Sequence, residues 1–566
     1  MPQEPRAVGD GDGDEFVFLA LGGVGEIGMN CYLYGLGPAS ARQWLMIDLG
    51  ITFPEGENDP GIDVILPDVR FIEAERSALA GILLTHAHED HFGALIDLWP
   101  RLRAPIYATP FTAALLKAKF AEFGGRQAPL PIHEVALNSR FTVGAFDLEL
   151  IAVAHSIPEP NAVAVRTRLG TALHTGDWKL DATPGVGPPT AASRLVALGE
   201  EGVTAIICDS TNALREGRSP SERDVARALA AIIKGAKRRV AVTIFASNVA
   251  RIRAVAEAAR GAGRQLVVAG RAMHRMIQVS MATGYLPADF KYHDQSHVSY
   301  LAPDEVVVLC TGSQGEPRAA VARIAEGEHP DIELGDGDLM IFSSRTIPGN
   351  ERGVGRIQNR LIDLGCELIT DSDALVHVTG HPRRDELEEM YAWVRPRMAI
   401  PVHGEARHLA AHAKLARAAG VGEVLSIRNG DIVRLAPGAG AVIDEAPVGR
   451  LFRDGELLVG SEEGPVRERR ALATAGIVIV GLLRSRRGEI GPEAEIVLDG
   501  VPAADQEGAP MLELVRDAVE GTIASIPRDR RRDAELVREA VRRAVRSAVE
   551  DVWGKRPVAK VLLIKG

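Results

Sequence analysis

Short apolar runs separated by turn residues dominate the first 210 residues of the chain. The runs are rich in Val, Ile and Leu and too short for helices, which is typical of β-strands. A helical pattern, such as that of residues 110–120, lies between some of them. This part of the chain is therefore predicted to be a strand-rich domain with short helices. The predicted strands are residues 16–21, 44–48, 81–85, 106–109, 146–154, 162–168 and 204–208.

The pattern changes near residue 220. Residues 221–237 carry apolar side chains at helical spacing, and Ser221 with Asp224 suits a capped helix start. Strand-like and helix-like segments then alternate, which predicts a parallel α/β insert. Short apolar runs typical of β-strands return near residue 374, and this pattern ends after Leu435. Within the insert we predict strands at 240–245, 265–268, 306–309 and 339–342, and a helix at 250–259.

The end of the chain forms a third region. Residues 437–467 contain Gly and Pro, which predicts a linker or a connecting pair of strands. Beyond them we predict an α+β module with its own core. Its strands are residues 473–483, 493–498 and 558–564, and its helices are residues 510–526 and 533–552. In the longer helix valines repeat every four residues beside an arginine-rich face: Val537, Val541, Val545, Val549, Arg538, Arg542, Arg543 and Arg546.

Composition describes an ordinary globular chain of 566 residues, 46% hydrophobic and 25% charged, and excludes a disordered or disulfide-stapled protein. The formal net charge of −11 argues against a protein that coats nucleic acid through bulk charge, but not against one that grips it in a local groove. Four isolated cysteines fit a reducing cytosol. No signal peptide is visible before residue 16, and the apolar runs fall far short of the ~20 residues of a membrane span. We therefore predict a cytoplasmic protein with no membrane partner.

A glycine motif near the N-terminus invites a different interpretation. Gly23, Gly25 and Gly28 match GxGxxG after a strand, and Asp48 follows about 20 residues on, as in dinucleotide-binding folds. In such folds the third glycine opens a helix, whereas residues 29–34 are β-rich here. The spacing therefore favours a glycine-rich hairpin, and no nicotinamide cofactor is predicted.

The strongest chemical signal is an HxHxDH box. His86, His88, Asp90 and His91 directly follow the predicted strand at 81–85. Neighbouring side chains can converge at the turn after a strand, and imidazole with carboxylate suits Zn²⁺ or Mn²⁺ better than a soft-thiolate site. A solvated polar loop would hardly carry this spacing by chance.

Further ligands should lie at the ends of other strands. His155, Asp177 and His403 each follow a predicted strand. A single histidine of this kind is more often structural than a ligand, but the set is hard to explain except as one site. With the HxHxDH box it supplies seven ligands, enough for two metal ions bridged by a carboxylate.

These motifs resemble the metallo-β-lactamase superfamily, and the long segment between Asp209 and His377 resembles its nucleic-acid-cutting β-CASP branch. Residues 21–28, 53–55, 61–63, 245–248, 311–317 and 347–351 are similar to the ribonuclease J family in particular. The resemblance implies an α/β fold of several parts. These are a metallo-β-lactamase αββα sandwich at 16–215 and 374–436, an inserted β-CASP α/β domain at 216–373, a linker at 437–467 and a small C-terminal α+β domain at 468–566.

The resemblance also implies the roles of the ligands. His86, His88 and His155 would hold one metal ion, Asp90, His91 and His403 the second, and Asp177 would bridge them. Zn²⁺ is the first choice, with Mn²⁺ or Mg²⁺ as alternatives. Two such ions lower the pKa of water from about 15.7 towards about 7, which would provide the nucleophile for attack on a phosphodiester. Asp90 therefore counts among the catalytic residues as well.

A proton donor for the leaving 3′-oxygen is also implied. His381 matches the family's motif for this role, and Asp209 matches the motif that would hold its tautomer and orientation. The alternative for Asp209 is a turn residue at the end of a strand.

Clusters of Ser, Gly and Asn at predicted strand ends suit phosphate groups, because backbone N–H groups and hydroxyls there form anion nests. By resemblance, one nest receives a 5′-monophosphate and makes the enzyme a 5′-to-3′ exonuclease. Ordinary turns are the alternative interpretation of these clusters. The arginine-rich helix at 533–552 is another candidate RNA contact, but the alternating Glu535, Glu539 and Glu550 favour a solvated or dimer-facing helix. The candidate RNA- or phosphate-binding residues are Ser247, Asn248, Gly312, Ser313, Gln314, His377, Thr379, Gly380 and His381, with Arg345 nearby.

The implied function is a two-metal ribonuclease that degrades single-stranded RNA and matures ribosomal RNA 5′ ends, with some endonuclease activity. It would act as a homodimer or a dimer of dimers, within an RNA-degradation complex. Three alternatives remain open. A small-molecule metallo-hydrolase would not need the long insert, and a non-catalytic RNA-binding subunit would not need seven intact ligands. A single-stranded DNA nuclease is compatible with all of these motifs.

Overall fold

The structure is a computed structural model that describes residues 13–54, 56–122, 129–461 and 464–565. Most of the N-terminal segment used for the signal-peptide prediction, and Glu55 of the 53–55 motif, lie outside the described residues. The chain forms two compact units, one of Met1–Thr52 with Ile65–Arg450 and one of Phe53–Val64 with Leu451–Gly566.

Two facing β-sheets form the centre of the first unit. Alternate residues such as Phe18, Tyr34, Leu150 and Ile207 from both sheets share one buried core, as expected for sheets packed face to face. In spatial order, one sheet contains Ala441–Glu445, Asp431–Ala436, Glu15–Gly22, Cys31–Gly37, Gln43–Ile47, Leu79–Leu83, Ile106–Ala108 and Ile132–Glu134. The other contains Glu423–Val424, Met398–Val402, Ala205–Asp209, Gly170–His174, Asn161–Thr167, Phe146–Ala152 and Arg140–Val143.

Helices cover the outer face of the second sheet. Leu195, Leu387 and Leu415 from three helices pack against Ile151 and Ile206 of this sheet. Its central strands, such as Ala205–Asp209 and Met398–Val402, are mostly apolar and are buried on both faces. The helices of the first unit outside the insert are Arg70–Ala74, Glu89–Phe92, Leu95–Leu102, Pro110–Glu122, Ala192–Glu201, Arg384–Val394 and Ala406–Ala418.

The insert is a parallel sheet between helices. All of its strand pairs are parallel, so the carboxyl ends of the strands lie along one edge. Its first helix starts at the predicted cap, where Ser221 and Asp224 form a capping box. In spatial order the strands are His293–Asp294, Gln265–Ala269, Val306–Cys310, Val240–Thr243, Leu339–Phe342 and Glu367–Ile369. The helices are Glu222–Gly235, Val249–Gly261, Arg271–Ala282, Ala320–Ala325 and Glu351–Asp363.

The glycine motif forms a turn between the antiparallel strands Glu15–Gly22 and Cys31–Gly37. No helix follows Gly28, so the hairpin interpretation is confirmed. A side chain at Gly23 would lie 2.3 Å from the Tyr32 hydroxyl, so only glycine fits there. The carbonyl of Gly23 accepts a hydrogen bond from the backbone N–H of His403 at 2.6 Å. The glycines therefore help to place a candidate metal ligand.

The second unit contains a three-stranded sheet with two long helices. The four valines of the longer helix are fully buried on one face, as their spacing predicts. Its strands include Ile490–Asp499, Ile477–Arg484 and Val558–Lys565 in spatial order. Its helices are Gly464–Ala475, Met511–Ser525 and Ala534–Trp553.

One prediction about this region differs from the structure. The strand predicted at 473–483 begins inside helix Gly464–Ala475, which ends where Gly476 takes a positive φ of 62°. The segment predicted as a linker or a connecting pair of strands at 437–467 contains the antiparallel pair Arg450–Asp454 and Leu457–Gly460, together with strand Ala441–Glu445, and the two units divide within it.

Residues 53–64 were predicted to belong to the first domain but belong to the second unit. Asp63 donates its backbone N–H to the Arg453 carbonyl at 2.9 Å, and Arg470 forms an ion pair with Asp59 at 2.9 Å. These partners are about 400 residues apart in the chain, so no local pattern could reveal them.

In the described part of the chain, no helix is long and apolar enough to cross a membrane.

Candidate metal centre and catalytic site

Strand ends bring the seven predicted ligands together. They form two groups, and within each group the ligand atoms lie within 4.8 Å of one another. The first group is His86, His88, His155 and Asp177, and the second is Asp90, His91, Asp177 and His403. Asp177 belongs to both groups, as expected for a bridging carboxylate. The strands Gly170–His174, Ala205–Asp209 and Met398–Val402 are parallel neighbours, so residues that follow them meet at one edge.

The first group is a compact set of imidazoles around Asp177. His88 Nδ1 lies 3.1 Å from His86 Nε2 and 3.0 Å from His155 Nε2. Burial lowers the pKa of His86 and His155 well below the usual histidine value, and lowers that of His88 to about 4. All three rings are therefore neutral at pH 7, the state in which imidazole binds a metal ion.

The second group has a different electrostatic character. Burial opposes protonation of His91, but Asp177, Asp90 and Asp48 raise its pKa above the usual value. Burial likewise opposes protonation of His403, and Asp177 and other carboxylates raise its pKa to about 10. A divalent cation would displace these protons, because carboxylates that attract a proton attract a metal ion as well.

The donor set fits divalent metal ions. Within the described residues, Asp177 Oδ1 and His403 Nε2 are buried without a hydrogen bond of good geometry, although His403 Nδ1 lies 2.9 Å from Asp177 Oδ1 and His403 Nε2 lies 3.3 Å from Asp90 Oδ2. Buried polar atoms are rarely left unsatisfied. Coordination would satisfy both atoms, and imidazole and carboxylate donors suit Zn²⁺ and Mn²⁺.

Asp48 supports one histidine of each ligand group, His91 directly and His86 through Thr85. Its Oδ2 lies 2.7 Å from His91 Nδ1 and accepts a hydrogen bond from Thr85 Oγ1 at 2.8 Å, and Thr85 Oγ1 lies 3.0 Å from His86 Nδ1. These contacts favour a proton on Nδ1 of both rings, so that Nε2 would be the atom offered to a metal ion. The sequence interpretation considered Asp48 only as part of a dinucleotide motif. Asp48 directly follows strand Gln43–Ile47, so the strand-end rule that selects Asp177 would have selected it too.

Replacing Asp48 with Ala is expected to lower metal affinity about 10–100-fold, the usual cost of losing a residue that orients metal ligands. Competition with a chelator measures this affinity. Asp68→Ala is a matched control, since Asp68 is also a buried carboxylate but contacts Arg70 instead of a ligand. Equal affinities of the Asp48 variant and the unchanged chain would contradict the assignment.

His381 lies next to the ligand groups and is hydrogen-bonded to Asp209. His381 Nδ1 is 2.7 Å from Asp209 Oδ2, and its ring centroid is 5.2 Å from that of His155 and 5.5 Å from that of His403. The other Asp209 oxygen accepts the backbone N–H of Thr211 at 2.8 Å. His381 and Asp209 also form a third group with Asp177 and His403, whose ligand atoms lie within 4.8 Å of one another.

The structure places the predicted phosphate-binding residues in two sets. His377, Thr379 and Gly380 lie in the loop that carries His381, and the Gly380 carbonyl lies 2.6 Å from His155 Nδ1. Asn212, which the sequence interpretation missed, donates to Thr379 Oγ1 at 2.7 Å. The second set, Ser247, Asn248, Gly312, Ser313 and Gln314, follows the carboxyl ends of two neighbouring strands of the insert.

Some side chains of the second set bind the protein itself. Asn248 Oδ1 caps helix Val249–Gly261 by accepting the backbone N–H of Arg251 at 2.9 Å. Gln314 accepts the Ile347 N–H at 2.8 Å and donates to the Arg345 carbonyl at 2.9 Å. These two side chains shape their loops, whereas Ser247 is half-buried at the same edge.

Two facing sheets, an inserted parallel α/β domain and histidine and aspartate groups at the strand ends define a hydrolase of the metallo-β-lactamase superfamily, in its β-CASP branch. Family models match four stretches of the chain. They are the beta-lactamase superfamily domain at 58–193, the ribonuclease J beta-CASP domain at 237–361, the Zn-dependent metallo-hydrolase RNA specificity domain at 373–426 and the ribonuclease J C-terminal domain at 464–565.

Similar proteins span nearly the whole chain. Ribonuclease J of Sinorhizobium meliloti is 51% identical over 552 residues, 98% of each chain. Ribonuclease J of Mycobacterium tuberculosis is 39% identical over 92% of each chain, and that of Thermus thermophilus is 34% identical over 100% of this chain and 97% of its own. A crystal structure of an Enterococcus faecalis protein of unknown function shares the fold, with a TM-score of 0.51 and 14% identity over 74% of this chain and 100% of its own. The chain belongs to the ribonuclease J family.

Proposed function

We propose that this chain is a ribonuclease that uses two divalent metal ions, with Zn²⁺ as the first choice, to degrade single-stranded RNA from a 5′-monophosphate end. Membership of the ribonuclease J family makes the chain a metal-dependent ribonuclease that acts in RNA processing. The observation that carries the two-metal proposal is the position of Asp177 between two separate ligand groups. We extend the proposal to endonuclease activity, maturation of ribosomal RNA 5′ ends and decay of messenger RNA.

His86, His88 and His155 would hold one ion, and Asp90, His91 and His403 the other, with Asp177 shared. Bound divalent ions lower the pKa of water towards about 7 and offset the charge of the phosphoryl oxygens. The seven residues, all buried except His88 and Asp90, would hold this charge in a fixed place.

His381 would protonate the leaving 3′-oxygen. Burial opposes protonation of its ring, but Asp209 and Asp177 raise the pKa of His381 above the usual histidine value, which favours the protonated ring. Asp209 holds the Nδ1 proton, which leaves Nε2 to donate towards the substrate. The His381 side chain is 20% exposed, so substrate can reach it.

Replacing Asp209 with Asn is expected to move the alkaline limb of the pH–rate profile to lower pH. His381 must carry a proton to act as an acid, so activity falls as pH rises through its pKa. Asp209 raises that pKa, and its loss therefore lowers the pH at which activity disappears. A profile of kcat/KM against pH measures the limb, and an unmoved limb would contradict the role of Asp209.

The 5′-end proposal is tested with three single-stranded RNAs of one sequence that carry a 5′-monophosphate, a 5′-triphosphate or a 5′-hydroxyl. We expect release of mononucleotides with a preference for the monophosphate. Equal rates on all three would reject the 5′-phosphate pocket. A DNA strand of the same sequence is the fourth substrate, and equal turnover of it would reject RNA as the preferred substrate.

We further propose a homodimer or a dimer of dimers, part of an RNA-degradation complex in the cytoplasm. Leu483, Leu562 and Ile564 of the C-terminal sheet are each 52% exposed, a surface that suits a protein partner. The four cysteines are buried and unpaired, as expected in a reducing compartment. Sedimentation of a chain truncated before residue 464 is expected to show loss of the dimer, and an unchanged mass would reject this role.

A further inference from the structure

A fully buried guanidinium lies within the insert. The Arg251 side chain is 0% exposed, in helix Val249–Gly261. One of its terminal nitrogens donates to the Ser343 carbonyl at 3.1 Å, to Ser343 Oγ at 2.6 Å and to the Val376 carbonyl at 2.7 Å. The other donates to Glu222 Oε2 at 2.8 Å. A buried charge is costly unless it is paired and hydrogen-bonded, so these partners are held in fixed positions.

The partners of Arg251 lie where the chain enters and leaves the insert. Glu222 begins the first helix of the insert, and its backbone N–H donates to Asp181 Oδ2 at 2.9 Å. Asp181 also pairs with the buried Lys179 at 3.0 Å, two residues beyond Asp177. Val376 directly precedes the loop that carries His381. Through these contacts the Arg251 guanidinium links the start and the end of the insert to the segment that follows Asp177.

The same network reaches the loops at the edge of the insert sheet. Asn248 caps the helix of Arg251, and its Nδ2 lies 3.4 Å from Glu222 Oε1. Ser343 lies two residues before Arg345, whose carbonyl is bonded to Gln314. The loops that carry Asn248, Gln314 and Arg345 are thus linked to residues 377–381.

We propose that Arg251 is a positioning residue that sets the loop of residues 377–381 and the phosphate-facing loops of the insert at the distance RNA cleavage requires. Arg251 is buried and acts through the carbonyls of Ser343 and Val376. The inference rests on the proposed function, because it assigns Arg251 a part in RNA turnover. Loss of the guanidinium removes none of the seven ligand side chains but frees the loops, and a displacement of about 1 Å costs about a hundredfold in rate.

The test compares two substrates of the Arg251→Gln variant with its metal ions bound. We expect kcat on 5′-monophosphorylated RNA to fall about a hundredfold and the preference for the monophosphate end to shrink. Hydrolysis of bis(p-nitrophenyl) phosphate is expected to fall much less, because p-nitrophenolate leaves without a proton donor and the small diester needs no phosphate-facing loop. Arg251→Lys keeps the charge beside Glu222 but has fewer donors, and its loss should be smaller.

Arg264→Gln is the matched control. Arg264 is also a buried arginine of the insert and donates to the carbonyls of Arg238 at 2.6 Å and Val306 at 3.4 Å. These partners lie at the amino ends of the strands, the opposite edge from the catalytic loop. Its variant should lose stability comparably and retain the ratio of the two activities.

Two results would overturn the inference: RNA turnover by Arg251→Gln that matches Arg264→Gln, or equal losses on both substrates. If the glutamine variant does not fold, the ratio of the two activities in Arg251→Lys decides in the same way. Failure of the unchanged chain to turn over RNA would reject the proposed function instead, so the two failures are distinguishable.

Discussion

Replacing Asp177 with Asn is expected to reduce RNA hydrolysis at least about a thousandfold and to lower the metal content of the purified protein. Asp177 is the residue shared by both ligand groups, and it is buried beside His91 at 3.2 Å and His403 at 2.9 Å. A metal-stabilised transition state depends on several kcal/mol of charge stabilisation, and about 4 kcal/mol corresponds to about a thousandfold in rate. Elemental analysis and RNA turnover are measured on the same sample.

Asp338→Asn is the control for loss of a buried carboxylate. Asp338 is almost fully buried and pairs with Arg239 at 3.2 Å in the insert, so its variant tests stability without the metal centre. We expect it to bind metal ions normally. Normal RNA turnover by the Asp177 variant would contradict the assignment of the shared ligand.

Replacing His381 with Ala is expected to lower kcat on RNA by about 10²–10⁴, the usual contribution of a positioned general acid. The same variant should hydrolyse bis(p-nitrophenyl) phosphate at nearly the normal rate, because that leaving group needs no proton. The two substrates together separate proton donation from metal binding, since loss of a metal ion would slow both.

His329→Ala is the matched histidine control. His329 is buried in the insert, and its Nδ1 accepts the backbone N–H groups of Asp331 and Ile332 at 3.3 and 3.2 Å. Its variant should keep the ratio of the two activities. An equal loss on both substrates in the His381 variant would reject the general-acid role.

Much of the candidate site could be predicted because its residues follow strands. His155, Asp177 and His403 each stand after an apolar run, and parallel strands bring their carboxyl ends to one edge. The fold class, the ribonuclease J family and a metal-dependent ribonuclease are confirmed by the comparisons. The roles of single residues stay predictions until metal content and turnover are measured.

The remaining features depend on contacts between distant parts of the chain. Asp48 is 43 residues from His91, and Arg251 is 125 residues from Val376, so local periodicity carries no sign of either contact. The assignment of residues 53–64 to the second unit has the same origin. Polar partners of this kind are chosen by tertiary geometry, whereas strands and helices are chosen largely by local pattern.

The most direct test of the two-metal ribonuclease is a titration of metal-free protein with Zn²⁺ or Mn²⁺, in which bound metal and turnover of 5′-monophosphorylated RNA are followed together. The seven ligands predict that turnover rises with metal content and saturates at two ions per chain. Full turnover at one ion per chain, or turnover that persists in protein shown to be free of metal, would contradict the account.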